Sequence, residues 1–159
     1  MAAGDTHVSA KFVANSTLAS LASLWGTNTI KMGITTTVPA VADSDPRWGA
    51  GGSQNYATNE IATGGNYAAG GPTLAGTTVT LVSATTQLNA TSPLTIAASA
   101  SNPNPAAQCY GIFYDSTDAG KHVFGYIDLG AALNLIPGIT LNFAGVGSGT
   151  QIVLKGVAS

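Results

Sequence analysis

Charge is what this sequence has least of. Lys, Arg, Asp and Glu together make up 8% of its 159 residues, against about a quarter in an average globular chain. The surface therefore has to be built largely from Thr, Ser, Asn, Ala and Gly. Such a surface suits burial against neighbours in an assembly, because a free monomer normally relies on interspersed charge for solubility. The basic residues are Lys11, Lys31, Arg47, Lys121 and Lys155, scattered along a chain of net charge −2. With no basic stripe to follow a phosphate backbone, nucleic acid is not an expected partner.

Cysteine is nearly absent as well. Cys109 stands alone, which excludes an internal disulfide, and its place in the apolar run Cys109-Tyr110-Gly111-Ile112-Phe113 marks it as a small core residue. No stretch of eighteen apolar residues occurs, and the N-terminus lacks a basic segment followed by an apolar one. The expectation is a chain neither exported by a signal peptide nor anchored in a membrane.

The residues that carry catalysis are equally scarce. His7 and His122 are the only histidines, and neither has a second His or a Cys at helical spacing, so a zinc site has no support. Glu60 is the only glutamate, and nothing in the sequence nominates a partner for acid and base work. Ser148, in Gly145-Val146-Gly147-Ser148-Gly149, has the wrong offsets for a nucleophile elbow. The double glycines around Tyr67 lack the Lys-Ser or Lys-Thr of a phosphate-binding loop. Asp115-Ser116-Thr117-Asp118-Ala119-Gly120 lacks the third acid and the terminal Glu of a calcium loop, and reads as a hairpin turn. No catalytic, cofactor-binding or metal-ligating residue is nominated, and the protein is expected not to be an enzyme.

Short β segments are what the sequence does have. Residues 1–14 alternate loosely (Val8, Ala10, Phe12) and form an N-terminal arm or a first strand, ahead of a single domain over 15–159. Leu18, Leu21, Leu24 and Trp25 recur at helical spacing behind a cap at Asn15 or Ser16, and Gly26 is the expected stop. A strand over Thr29 to Ile34 ends before Pro39. The loop from Ala40 to Gly52 follows, carrying Arg47 and Trp48. Those two residues and Tyr56 are the interface candidates, with packing onto their own domain as the competing assignment.

Gly64, Gly65, Tyr67, Gly70 and Gly71 are expected to make a structural turn in which Tyr67 packs against the domain. Further strands are expected over Thr73 to Val82, around Leu88, and from Leu94 to Ala97, followed by a loop from Ser99 to Pro105. The strongest hairpin runs from Tyr110 to Asp115 and from His122 to Gly130, and both faces of its second arm are apolar, as in a central strand. Ile139, Leu141 and Phe143, then Ile152 and Leu154, close the chain. One short N-terminal helix with seven to nine short strands predicts a mainly β fold, an antiparallel β-sandwich or jelly-roll relative.

Several of these segments, in order, resemble a family of small bacteriophage virion structural proteins found among head and tail components. They are Lys31-Met32-Gly33-Ile34, then Asn59-Glu60-Ile61-Ala62 ahead of Gly64-Gly65-Asn66-Tyr67-Ala68-Ala69-Gly70-Gly71-Pro72-Thr73-Leu74. Tyr110-Gly111-Ile112-Phe113-Tyr114-Asp115 and Gly125-Tyr126-Ile127-Asp128-Leu129-Gly130 look like that family's two central strands. The family pattern places Gly directly before Tyr, where this chain has Asn66. The resemblance covers roughly residues 28 to 157 and implies a non-enzymatic role in the virion, assembled in the host cytoplasm. Combined with the low charge, it leads to the expectation of a capsid decoration (cement) protein. Its partners would be the major capsid protein and further copies of itself, most simply as a homotrimer, with no cofactor, nucleic acid or membrane. The alternatives are a neck, tail or baseplate component, or a carbohydrate-binding β-sandwich that stacks sugars on Trp48, Tyr56 and Tyr67.

Overall fold

The computed structural model describes residues 6–8, 18–40, 42–64, 67–82, 85–90, 94–97, 108–130, 140–143 and 152–157. In chain order the elements are β1 (Thr6–Val8), α1 (Leu18–Thr27), β2 (Ile30–Thr35), β3 (Pro46–Arg47) and β4 (Gln54–Asn55), then a 3-10 turn (Tyr56–Asn59). They continue with β5 (Thr78–Val82), β6 (Thr85–Ala90), β7 (Leu94–Ala97), β8 (Cys109–Asp115), β9 (Val123–Gly130), β10 (Thr140–Phe143) and β11 (Ile152–Val157). The fold is mainly β with one short helix, and its sheets are antiparallel apart from the two-residue parallel pair β3–β4.

Period-two alternation organises the centre. β8 and β9 form the expected hairpin, with Gly111 opposite Ile127 and Ile112 opposite Tyr126, inside a four-stranded sheet of order β1-β9-β8-β2. Alternate residues point to opposite faces, and here both faces are covered. Ile30, Met32, Ile34, Cys109, Phe113 and Phe124 join one core, together with Trp25 of α1, Leu88 and Ala90 of β6, and Tyr67. Tyr110, Ile112, Tyr114, Val123 and Tyr126 face the other way and form a second core with Trp48 and Tyr56. Register shifts at Cys109/Tyr110 and Phe113/Tyr114 keep the pattern in phase: Tyr114 pairs with Val123, and Phe124 is left as the extra residue that turns into the first core.

Trp25 ties the helix to this frame. Its ring meets Phe113 and Phe124 edge to face, at centroid distances of 6.4 and 5.3 Å, and its indole N–H donates to the Asn89 carbonyl at 2.8 Å. Leu24, from the same apolar stripe, is exposed instead. β6 is paired on both sides, by β5 and β11, and β10 pairs with β7.

The outer edge of β2 is closed by the segment that follows the long loop. Thr36 N–H donates to Asn59 O, Ile61 N–H to Ile34 O, Met32 N–H to Pro72 O and Leu74 N–H to Ile30 O, all within 3.1 Å. A free strand edge invites pairing with other chains, and this one is already occupied.

Several elements differ from expectation for local reasons. The strand expected from Thr73 begins only at Thr78: Thr73 makes a single bridge to Lys31, and Gly76, at φ 59°, turns the chain between them. The loop from Ala40 contains β3 and folds onto the sheet. Gly26 lies one residue inside the helix end. Within the expected arm 1–14, Thr6–Val8 adds to β9 as an edge strand, Thr6 opposite Ile127 and Val8 opposite Gly125. Ser99 to Pro105, Ile139 and Gly145 to Gly149 lie outside the described residues.

Candidate binding cleft

Gly33 and Lys31 stand on the second face of β2, one without a side chain and the other the only charge in its strand. The bare backbone at Gly33 leaves room for Trp48, whose six-membered ring edge rests there. Three features hold the indole in place. Trp48 N–H donates to Lys121 O at 2.9 Å, Arg47 and His122 form an isolated antiparallel bridge, and the indole stacks on Tyr114 with centroids 5.2 Å apart and planes 9° apart.

An ionic cluster fastens the same loop to the β8–β9 turn. Arg47 Nη2 lies 2.8 Å from Asp45 Oδ2, His122 Nε2 lies 3.5 Å from Asp45 Oδ1, and His122 Nδ1 contacts Asp118. The turn's acids also brace the turn itself, while Asp115 Oδ2 accepts from Asn28 Nδ2 at 2.6 Å. Asp115 Oδ1 accepts from the Thr117 and Asp118 N–H groups, and Asp118 Oδ1 accepts from Gly120 N–H.

The opposite wall is the glycine corner. Gly64 and Tyr67 exchange both backbone hydrogen bonds, at 3.0 and 2.9 Å. The Tyr67 hydroxyl donates to Glu60 Oε1 at 2.9 Å and accepts from Ile34 N–H at 2.8 Å. Gly70 N–H also donates to Glu60 Oε1, at 2.6 Å, and Tyr114 Oη donates to Gly70 O at 2.7 Å. Gly70 and Gly71 have φ of 82° and 77°. A Cβ on Gly71 would be driven into the Met32 carbonyl, 2.6 Å from its carbon, so glycine is required there for conformation and for clearance. Burial pushes the Tyr67 phenol well above its ordinary pKa, Ile34 N–H opposes this, and the Glu60 charge adds to it. Burial and then Glu60 raise Tyr114 in the same way. Both phenols therefore remain protonated donors.

Between the two walls is a cleft of about 460 Å³, lined chiefly by Lys31, Trp48, Glu60, Gly70, Tyr114 and Lys121. At its rim the Ser116 hydroxyl proton is held by Thr29 O, at 2.8 Å. What the lining offers is ammonium and N–H donors beside one carboxylate, the makings of a binding site. No family model matches the chain, and no curated protein and no solved structure matches it either.

Of the residues singled out in the sequence, Trp48 and Tyr56 are buried in the chain's own second core, the Tyr56 hydroxyl donating to Asp43 Oδ2 at 2.8 Å. Arg47 is half-buried and paired with Asp45. Tyr67 is buried in the first core, so none of the three rings proposed as sugar platforms stands free on the surface. Gly64, Gly70 and Gly71 shape the corner with Tyr67, and Gly65 lies outside the described residues. Sequence reasoning did not find Lys31, Lys121, Tyr114 or the role of Glu60. A lone charge inside an apolar strand was the available signal for Lys31.

Proposed function

We propose that this chain is a non-enzymatic structural subunit of a bacteriophage particle, a capsid decoration (cement) protein. It binds the outer surface of the shell, against the major capsid protein, as a homo-oligomer that is most simply a trimer. The observation that carries this reading is the surface between residues 36 and 79. Among the described residues there, no exposed side chain is charged. Asp43, Asp45, Arg47 and Glu60 are half-buried and bonded within the chain, while Val38, Ser44, Ala50, Ser53, Thr58 and Ala62 are exposed. Val38, the largest of these apolar groups, is 65% exposed. Depletion of charge is what distinguishes the centre of a protein interface from ordinary surface, and a face of this kind gives a free monomer little protection against association.

The finer architecture in this reading is a β-sandwich of jelly-roll type, supported by the core that Leu88 and Ala90 of β6 share with Met32 and Phe113 of the four-stranded sheet. The test is to sediment purified protein with preassembled capsid shells and, separately, with tails, and to weigh the free protein by mass photometry. Pelleting with shells and an oligomeric mass are expected. Pelleting with tails alone moves the subunit to the neck, tail or baseplate, and pelleting with neither overturns a role in the virion.

A further inference from the structure

Two hydrogen-bond donors, the Trp48 indole N–H and the Lys31 ammonium, converge on the cleft with no acceptor among the described residues. Trp48 is only 3% exposed, and its six-membered ring edge is fixed against Gly33. Its Nε1 edge therefore faces Gly70, where Nε1 and Lys31 Nζ lie 3.9 and 4.0 Å from the position a Cβ would take. Lys121, exposed at the rim, also lines the cleft. Among the described residues, neither ammonium nor the indole N–H has a hydrogen-bond or ion-pair partner. The other polar atoms nearby are largely satisfied: Tyr114 Oη has given its proton to Gly70 O, and Glu60 Oε1 accepts twice. The ring of Trp48 is buried but its N–H opens on the cleft, so an indole donor and an ammonium converge on one concave space, the arrangement of polar groups that orients a ligand in a binding pocket.

We infer that the cleft is a binding site for a carboxylate group, with one oxygen accepting from Trp48 Nε1, the other from Lys31 Nζ, and Lys121 at the mouth. Two ammonium groups against the single Glu60 carboxylate leave one net positive charge, which matches a monoanion. A phosphate dianion would be left partly uncompensated beside Glu60. Charge-assisted hydrogen bonds of this kind are the stronger ones, and a volume of about 460 Å³ admits the few carbons that carry the group. The carboxylate comes from a free small acid or from an Asp or Glu side chain of a partner chain. The inference stands independently of the virion reading.

The chain's two tryptophans provide the reporter and its control, because the Trp25 indole N–H is already committed to Asn89 O. Titrating ¹⁵N-labelled protein with sodium propionate at fixed ionic strength should move the Trp48 indole resonance saturably and leave that of Trp25 in place. Propionamide should do nothing, and inorganic phosphate should bind more weakly than propionate. Lys31→Gln should weaken propionate binding at least about tenfold, with the unchanged Trp25 resonance showing that the variant is folded. A doubly blocked Ala-Glu-Ala peptide separates the sources: tighter binding than propionate identifies a partner's acidic side chain, and weaker binding identifies a small free acid. A Trp48 resonance that ignores propionate, responds equally to propionamide, or is indifferent to Lys31→Gln overturns the inference.

Discussion

The indole of Trp48 lies on the backbone of Gly33, so close that a Cβ at position 33 would meet three of its ring carbons, Cζ3 at 2.6 Å. The contact joins the long loop to the sheet and sets the stack of Trp48 on Tyr114. Gly33→Ala should therefore destabilise by about 1–3 kcal/mol, the usual cost of overpacking a filled core. Displaced Trp48 should emit at longer wavelength. Adding Trp48→Leu should return part of the loss, because the smaller side chain vacates the space the new methyl needs. Additive losses in thermal melts of the single and double variants would show that the two residues are not in contact.

Tyr67 is the peg of the glycine corner, and its hydroxyl alone can be tested. Tyr67→Phe keeps the ring but leaves the buried Ile34 N–H without its acceptor, which costs about 1–3 kcal/mol. Tyr67→Ala also opens a cavity in the first core and should cost about 3–5 kcal/mol. Urea midpoints for the two variants provide the measurement. A Tyr67→Phe variant as stable as the parent would mean that the corner is not locked through this hydroxyl.

The parts of the fold that could be read from the sequence were those in which a local pattern decides the outcome. The β8–β9 hairpin was legible because Tyr110–Asp115 and Val123–Gly130 alternate on both sides of an Asp, Ser and Gly turn. The helix was legible because Leu18, Leu21 and Trp25 recur at its period. The cleft was not legible. Lys31 and Tyr114 are adjacent only through strand pairing, and Trp48 and Gly70 meet only because two loops fold over one sheet face. Trp48 and Tyr56 read as interface residues because aromatic side chains in a long loop serve interfaces and cores alike. What selects the core here is Gly33, whose missing side chain makes room for the indole.

The chain's five tyrosines are all buried, and burial is the main cause raising each phenol above its usual pKa of 10.0. A raised pKa means that folding favours the protonated phenol. The stabilisation is complete below about pH 10 and is lost as pH rises through the folded values. Absorbance at 295 nm should show little tyrosinate in the native protein at about pH 10, where the denatured chain is half ionised. At higher pH a single rise should coincide with loss of the near-ultraviolet circular dichroism. A tyrosine that ionises near its ordinary value while the fold stays intact would contradict the buried placement.

Acid should act through the turn that holds the Trp48 loop. Burial alone would raise the pKa of Asp118, but hydrogen bonds from the His122 side chain and from the Gly120 and His122 N–H groups, with the His122 charge, outweigh it and hold the carboxyl below its usual 3.8. A lowered pKa reverses the sign found for the tyrosines: the stabilisation is present above 3.8 and is lost as pH falls through the folded value. Asp45, itself paired with Arg47, faces the same imidazole, and Asp115 shares the turn. Asp118→Asn should be less stable than the parent at neutral pH, and the gap in urea midpoints should close below about pH 4 as the parent's carboxyl takes up its proton. Because Trp48 N–H is held by Lys121 O at the end of this turn, its emission should shift over the same pH interval in the parent and not in Asp118→Asn. A stability gap that stays constant down to the acid limit would locate the acid sensitivity in another carboxylate.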